Sequence, residues 1–266
     1  MIPRLLSGII MALVVAFGVI YLPAYLIKIA IILLAGIGCY ECAQMLLPKH
    51  PSSSVFLATV LGALLTVAMV FHFSQVPVLT LVLPLVIMVT LVFYLFRGPT
   101  LDLVVTQISR SLFTVLYVGF LFSFLGYLLD LEMGWAWLLL VLASTFAADT
   151  GAFFAGRYLG RHRLAPRVSP AKTLEGLFGG LILSTATAFI FKYWFFNDLS
   201  VLDCFGVGAI AGLIGPMGDL AESMIKRSVG VKDSSHLIPG HGGLLDRVDA
   251  LLFTSPVVYW YATHLR

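Results

Sequence analysis

Charge is what this sequence has least of. Lys, Arg, Asp and Glu make up 11% of its 266 residues, and 60% are hydrophobic; soluble domains carry about 25% charged residues. The mean hydropathy is +1.03. A soluble fold of this length has too little interior to hide so much apolar surface, so lipid must serve as solvent for much of it. Cysteine is nearly as scarce. Three residues, Cys39, Cys42 and Cys204, exclude a disulfide framework. Cys39 and Cys42 form a C-x-x-C, but inside the apolar run IILLAGIGCYECAQMLL, where they read as small buried hydrophobes and not as a redox pair. No internal repeat, low-complexity tract or separate soluble domain is visible. The net charge of +3 is modest, so its placement matters more than its total, and no nucleic-acid partner is expected.

What is abundant is apolar length. A helix needs about 20 apolar residues to cross the hydrocarbon core. The chain offers about nine such stretches: 4–22, 24–47, 55–73, 76–96, 110–129, 134–155, 174–196, 203–224 and 247–264. The first has no clear small-x-small cleavage site behind it and reads as a retained transmembrane helix. With the N-terminus cytoplasmic, thirteen of the sixteen basic residues fall on the cytoplasmic side, and only Lys28, Lys192 and Arg266 fall outside. That asymmetry obeys the positive-inside rule. The fold class expected is therefore an all-α polytopic integral membrane protein, with the N-terminus in the cytoplasm and the C-terminus outside. Residues 1–130 are expected to form a scaffold of transmembrane helices, with lipid access or a homo-oligomer contact as further roles. Residues 131–266 carry the polar chemistry. The run Arg157, Arg161, Arg163 and Arg167 reads as a juxtamembrane patch against anionic headgroups.

Four aspartates sit where apolar helices meet the cytoplasmic side. Asp149 follows LLLVLASTFAA, Asp219 follows GAIAGLIGPMG, and Asp246 and Asp249 open the last helix. Ionisable groups at membrane depth usually face a partner or a polar cavity, and clustered carboxylates need cations beside them. Asp246 and Asp249 share a helical face, as do Asp219, Glu222, Ser223 and Lys226. Carboxylates with a cation one turn later suit a site holding a metal and a phosphate together. Oxygen-only ligands point to Mg²⁺. Interhelical ion pairing is the plainer reading of any one of these aspartates. The segment PGHGG (239–243) offers backbone N–H groups with little bulk around them, and His241 could donate to a phosphate. In SPAKTLEG (169–176), Ser-Pro is expected to start a turn, Lys172 is a cation, and Thr173 is a candidate helix N-cap.

These residues together resemble the signature of the phosphatidate cytidylyltransferase (CDP-diacylglycerol synthase) family. Ser223-x-x-Lys226-Arg227, Lys232-Asp233, Pro239-Gly240-His241-Gly242-Gly243 and Asp246-Arg247-x-Asp249 place thirteen specified positions within twenty-seven residues. DTGAFFAGR (149–157) and SPAKTLEG are similar to the same family, so the resemblance covers about residues 149–249. It implies a Mg²⁺-dependent enzyme of phospholipid biosynthesis, taking CTP and phosphatidate to CDP-diacylglycerol and pyrophosphate in the inner membrane, with its site facing the cytoplasm. Asp219, Lys226, Asp246 and Asp249 would be catalytic. Asp219 and Asp246 would bind metal, with Asp249 and Asp149 at a second position or in support. Lys172, Ser223, Arg227, Lys232, His241, Gly242, Gly243 and Arg247 would bind substrate. Two alternatives are another Mg²⁺-dependent membrane phosphotransferase acting on a lipid phosphate, and a secondary transporter. The first loses ground because alcohol-transferring relatives use an Asp-Gly motif, and the chain has no Asp-Gly dipeptide. A transporter would place its charges near the bilayer midplane in two matching halves, whereas here they gather at one face.

Overall fold

The computed structural model describes residues 2–47, 52–71, 78–97, 100–235, 237 and 242–266. Its elements run α1 (Ile2–Tyr21), α2 (Ala24–Leu46), α3 (Ser52–Val70), α4 (Val78–Arg97), α5 (Leu101–Thr114), α6 (Phe124–Leu128), α7 (Gly134–Leu159), β1 (Arg163–Ala165), β2 (Ser169–Thr173), α8 (Leu174–Trp194), α9 (Val201–Ala209), α10 (Gly215–Ser228) and α11 (Leu245–His264). Wide π-helical turns at Val115–Phe120 and Ile210–Ile214 follow α5 and join α9 to α10. The protein is a helical polytopic membrane protein. Seven helical stretches among the described residues are long and apolar enough to span a bilayer, the longest being Leu101–Leu128 and Val201–Ser228. Those seven include neither α1, of which Ala12–Tyr21 is a shorter apolar helix, nor α11.

The chain forms two compact units. One comprises Met1–Ala24, Leu128–Lys232 and Asp246–Arg266; the other comprises Tyr25–Tyr127 and Asp233–Leu245. In the second unit, α3 packs on α4, α5 and the π turn after α5, around Leu61, Leu65, Met69, Val86 and Val115. Inside it Thr66 donates to the Gly119 carbonyl at 2.9 Å, and Tyr94 meets Ser111 at 2.8 Å. Cys39 and Cys42 are buried and form no disulfide, as expected of small hydrophobes.

In the first unit, α7 and α8 form the largest helix pair. Lipid supplies no hydrophobic drive between helices, so small residues and close backbone approach hold such a pair. Gly180 shows why: a Cβ there would lie 2.8 Å from the Ala148 carbonyl oxygen. Between the apolar stretches 134–155 and 174–196 the sequence offers a basic, polar segment with a turn expected at Ser169-Pro170. Instead α7 continues to Leu159, and β1 and β2 pair as an antiparallel hairpin with Arg163 opposite Thr173. The turn falls at residues 166–168, not at Ser169-Pro170, which lie inside β2. Strand β2 therefore carries Lys172 in an extended backbone up to Thr173, whose side chain caps α8 by accepting from Gly176 N at 3.1 Å.

Candidate active site

The site is built in the first unit from the start of α11, the end of α10, the middle of α7 and strand β2. Pro216 stands at the N-terminus of α10, immediately after the π turn. Proline supplies no N–H to the helical ladder, and the wide turn before it absorbs that interruption within the membrane rod. Gly218 then brings α10 against α11: a Cβ at Gly218 would sit 2.6 Å from the Asp249 carbonyl oxygen. Thr145 on α7 meets Thr254 on α11 at 3.2 Å, tying the third helix in.

On this frame the carboxylates and lysines interleave. Lys226 Nζ lies 2.5 Å from Glu222 and 2.6 Å from Asp246, and so joins α10 to α11. Lys172 Nζ reaches Asp219 at 2.7 Å and the Pro216 carbonyl at 3.2 Å, tying the hairpin to α10. Ser223 donates to Asp219 at 3.3 Å, as expected of residues one turn apart on a stripe. Asp249 is buried, accepts from Ala250 N at 2.7 Å, and lies within electrostatic reach of Asp219, Glu222 and Asp149. The ion pairs expected for single aspartates therefore exist, but the group as a whole is not balanced: five carboxylates share two lysines. Glu222 is completely buried; its Oε1 receives no N–H or hydroxyl, and its carboxyl lies against that of Asp246. A buried acceptor without a donor is costly, and here carboxyl groups outnumber the lysines beside them.

Among the expected site residues, Asp149, Lys172, Asp219, Ser223, Lys226, Asp246 and Asp249 belong to this one constellation. Arg227, Lys232 and Arg247 are exposed. His241 lies outside the described residues. Gly242 and Gly243 are in the second unit, where each has a backbone reason to be glycine. Gly242 has φ +81°, in the left-handed region. A Cβ on Gly243 would lie 2.7 Å from Glu41 Oε1.

Two residues escaped the sequence reading. Glu222 was placed on the stripe but given no role in the site. Glu41 was passed over inside the apolar run whose cysteines drew attention. It is 2% exposed and accepts four hydrogen bonds, three from the segment that precedes α11 and one from the first residue of that helix. An ionisable residue at membrane depth was the available signal.

Among the described residues, no three His, Cys, Asp or Glu side chains come together as a ready-made metal cage. A hard divalent ion does not require one, because Mg²⁺ typically takes one or two carboxylates and completes its shell with water and substrate phosphates. An all-oxygen set in which carboxyls outnumber lysines, with a buried carboxyl oxygen that receives no N–H, fits such an ion.

Fold and site thus define a polytopic membrane protein with an acid-rich, lysine-bridged cluster. The chain belongs to the cytidylyltransferase family, whose model matches residues 2–265. A phosphatidate cytidylyltransferase of Haemophilus influenzae is 46% identical over 128 residues, covering 47% of this chain and 44% of the relative. An uncharacterized protein of Escherichia coli is 42% identical over 132 residues, covering 50% of this chain and 44% of the relative. A phosphatidate cytidylyltransferase of Staphylococcus aureus is 40% identical over 147 residues, covering 55% and 56%. The chain thus spans about half the length of the curated relatives it matches. Membership in this family is consistent with a divalent metal at the site.

Proposed function

We propose that the protein makes CDP-diacylglycerol and pyrophosphate from CTP and phosphatidate, as a step of phospholipid biosynthesis. The observation that supports this most is the Lys226 bridge, an ammonium held between two carboxylates at 2.5 and 2.6 Å inside an acid-rich cluster. An ammonium has three N–H donors. Glu222 and Asp246 engage two of them and fix the direction of the third, which suits it to a phosphate oxygen. Lys172 is held in the same way by Asp219 and the Pro216 carbonyl.

In the reaction, an oxygen of the phosphatidate phosphate attacks the α-phosphorus of CTP. A new phosphorus–oxygen bond forms as the bond from the α-phosphorus to the oxygen bridging it to the β-phosphorus breaks. The electron pair leaves with pyrophosphate. The attacking oxygen is already ionised at neutral pH, so no strong general base is needed, and catalysis is alignment plus charge neutralisation. Lys226 and Lys172 orient triphosphate oxygens and offset the charge that grows on the leaving group. Asp219 and Asp246 would hold Mg²⁺, with Asp249 and Asp149 supporting a second position; bound there, the ion supplies positive charge to the phosphates. Arg227, Lys232, Arg247, His241, Gly242 and Gly243 are assigned to substrate phosphates and headgroup.

The enzyme would lie in the inner membrane with this site facing the cytoplasm, built on about nine spans. A homo-oligomer contact would fall on the N-terminal helices. Purified protein given CTP and phosphatidate should release pyrophosphate and CDP-diacylglycerol in equal amounts, and neither when one substrate is omitted. Pyrophosphate release from CTP alone, or none from the pair, contradicts the reading. Orientation has its own test. The three native cysteines are buried, so thiol labelling of Arg167→Cys and Asp198→Cys in intact cells has a low background. Asp198→Cys should label from outside and Arg167→Cys only after permeabilisation; the reverse pattern would invert the topology.

A further inference from the structure

We propose that Glu41 is a positioning residue for the transfer, setting the first turn of α11, and with it Asp246 and Asp249, by clamping the neck of the segment that precedes that helix. This rests on the cytidylyltransferase reading for what the positioned residues do, and on the geometry of the second unit for the clamp itself.

The clamp is a single buried carboxylate with four donors. Glu41 Oε1 accepts from Ser235 Oγ at 2.6 Å and from Leu244 N at 3.0 Å. Its Oε2 accepts from Ser234 Oγ at 3.3 Å and from Leu245 N at 2.8 Å. Each oxygen thus takes one hydroxyl and one backbone amide, and the two pairs come from opposite ends of the segment 234–245. The segment is closed at its base on one side chain of α2. Gly243 gives clearance, since a Cβ there would collide with Ser234 Oγ and crowd Glu41.

The first amides of a helix have no partner within it. Leu245 is the first residue of α11, and its N–H is satisfied by Glu41, a side chain from a helix about 200 residues away in sequence. Asp246 is the next residue and Asp249 lies one turn on. Fixing two consecutive amides, at Leu244 and Leu245, fixes the backbone that leads directly into the first turn of the helix. Misplacing a reacting group by about 1 Å can cost about 100-fold in rate, so a residue that touches no substrate can still govern turnover.

The donor pattern makes the conservative variant informative. Serine hydroxyls can turn round and accept, but backbone amides cannot. Glu41→Gln therefore leaves at least one of the Leu244 and Leu245 amides facing an NH₂ group, and Glu41→Asp is one methylene short. Ser235→Ala removes a hydroxyl and spares both amides.

The experiment pairs hydrogen–deuterium exchange with steady-state kinetics on the full-length protein. In wild type the amides of residues 244–245 should be protected. In Glu41→Gln they should exchange faster by about tenfold or more, with α3 and α7 unchanged. The kcat should fall about 10- to 100-fold, more than KM for either substrate rises, because the alignment of Asp246 and Asp249 is lost while the segment carrying His241, Gly242 and Gly243 loosens only at its neck. Ser235→Ala should do the same more weakly. Unchanged exchange at 244–245 together with unchanged kcat overturns the proposal. So does a loss of protection spread through α3 and α7 in every variant, which would make Glu41 a packing residue only. If Glu41→Gln does not insert, the Ser234→Ala/Ser235→Ala double variant decides on the same two readouts. If wild type turns over no CTP, the functional reading falls, and the exchange arm still decides the clamp.

Discussion

At one end of the α9–α10 rod, Asp203 is met on every side. It accepts from Ser200 N at 2.7 Å and from Tyr261 Oη at 2.8 Å, and Arg266 Nε lies 3.4 Å away. The Arg266 guanidinium also stacks over Trp137 and Phe196, at 5.3 and 5.7 Å, and donates to the Asp198 carbonyl. Toward the other end, Asp219, Glu222, Asp246, Asp249 and Asp149 share Lys226 and Lys172, and a buried oxygen of Glu222 receives no N–H or hydroxyl. Both are polar clusters in the same helices. One is saturated, with a cation and hydrogen bonds matched to its carboxylate. The other holds more carboxyl groups than lysines. A saturated cluster stabilises and has nothing left to give a ligand; the lysine-bridged cluster is the one to which the proposed function assigns a cation and phosphates.

The sharpest way to break this contrast is at Lys226. Lys226→Ala leaves Glu222 and Asp246 without their shared cation and should lower kcat by about 10²- to 10³-fold. Lys226→Arg should be nearly as damaging, because a planar guanidinium fork does not replace a compact ammonium between two carboxylates. Steady-state kinetics with each substrate varied separately measures both. If Lys226→Arg keeps wild-type kcat and both KM values, Lys226 merely marks topology.

The helical half of this account was legible in the chain because membrane spans announce themselves by length. The expected 134–155 and 174–196 correspond to Gly134–Leu159 and Leu174–Trp194. The stripe from Asp219 to Lys226 was equally legible, since helical spacing alone aligns those positions. The β1–β2 hairpin was not. Its residues sit in a basic run whose composition reads as solvated loop, and its strands are fixed only by pairing with each other. The partners of Lys226 and Lys172 were also beyond reach, because each ion pair depends on how one element crosses another. Glu41 was hidden for a further reason: its partners lie about 200 residues downstream, and no periodicity links them.

A smaller effect tests where the site ends. Arg227 follows Lys226 but points about 100° away; it is exposed and donates to the Val231 carbonyl at 3.3 Å. Arg227→Lys should therefore change kcat by no more than about threefold, with any loss appearing in KM for phosphatidate. A loss as large as that of Lys226→Arg would extend the cluster onto the exposed face.

The central claim is tested most directly by making the same substitution at both ends of one rod. Asp203→Asn and Asp219→Asn each remove one charge from the stretch Val201–Ser228. Thermal unfolding and the Mg²⁺ dependence of turnover are then measured on both purified proteins. Asp203→Asn should lose about 1–3 kcal/mol of stability and keep wild-type kcat and Mg²⁺ dependence in its folded fraction. Asp219→Asn should unfold close to the wild-type temperature while losing turnover or requiring far more Mg²⁺. If both variants lose activity only in proportion to the stability they lose, the acid-rich end is a second structural knot and not the site of reaction.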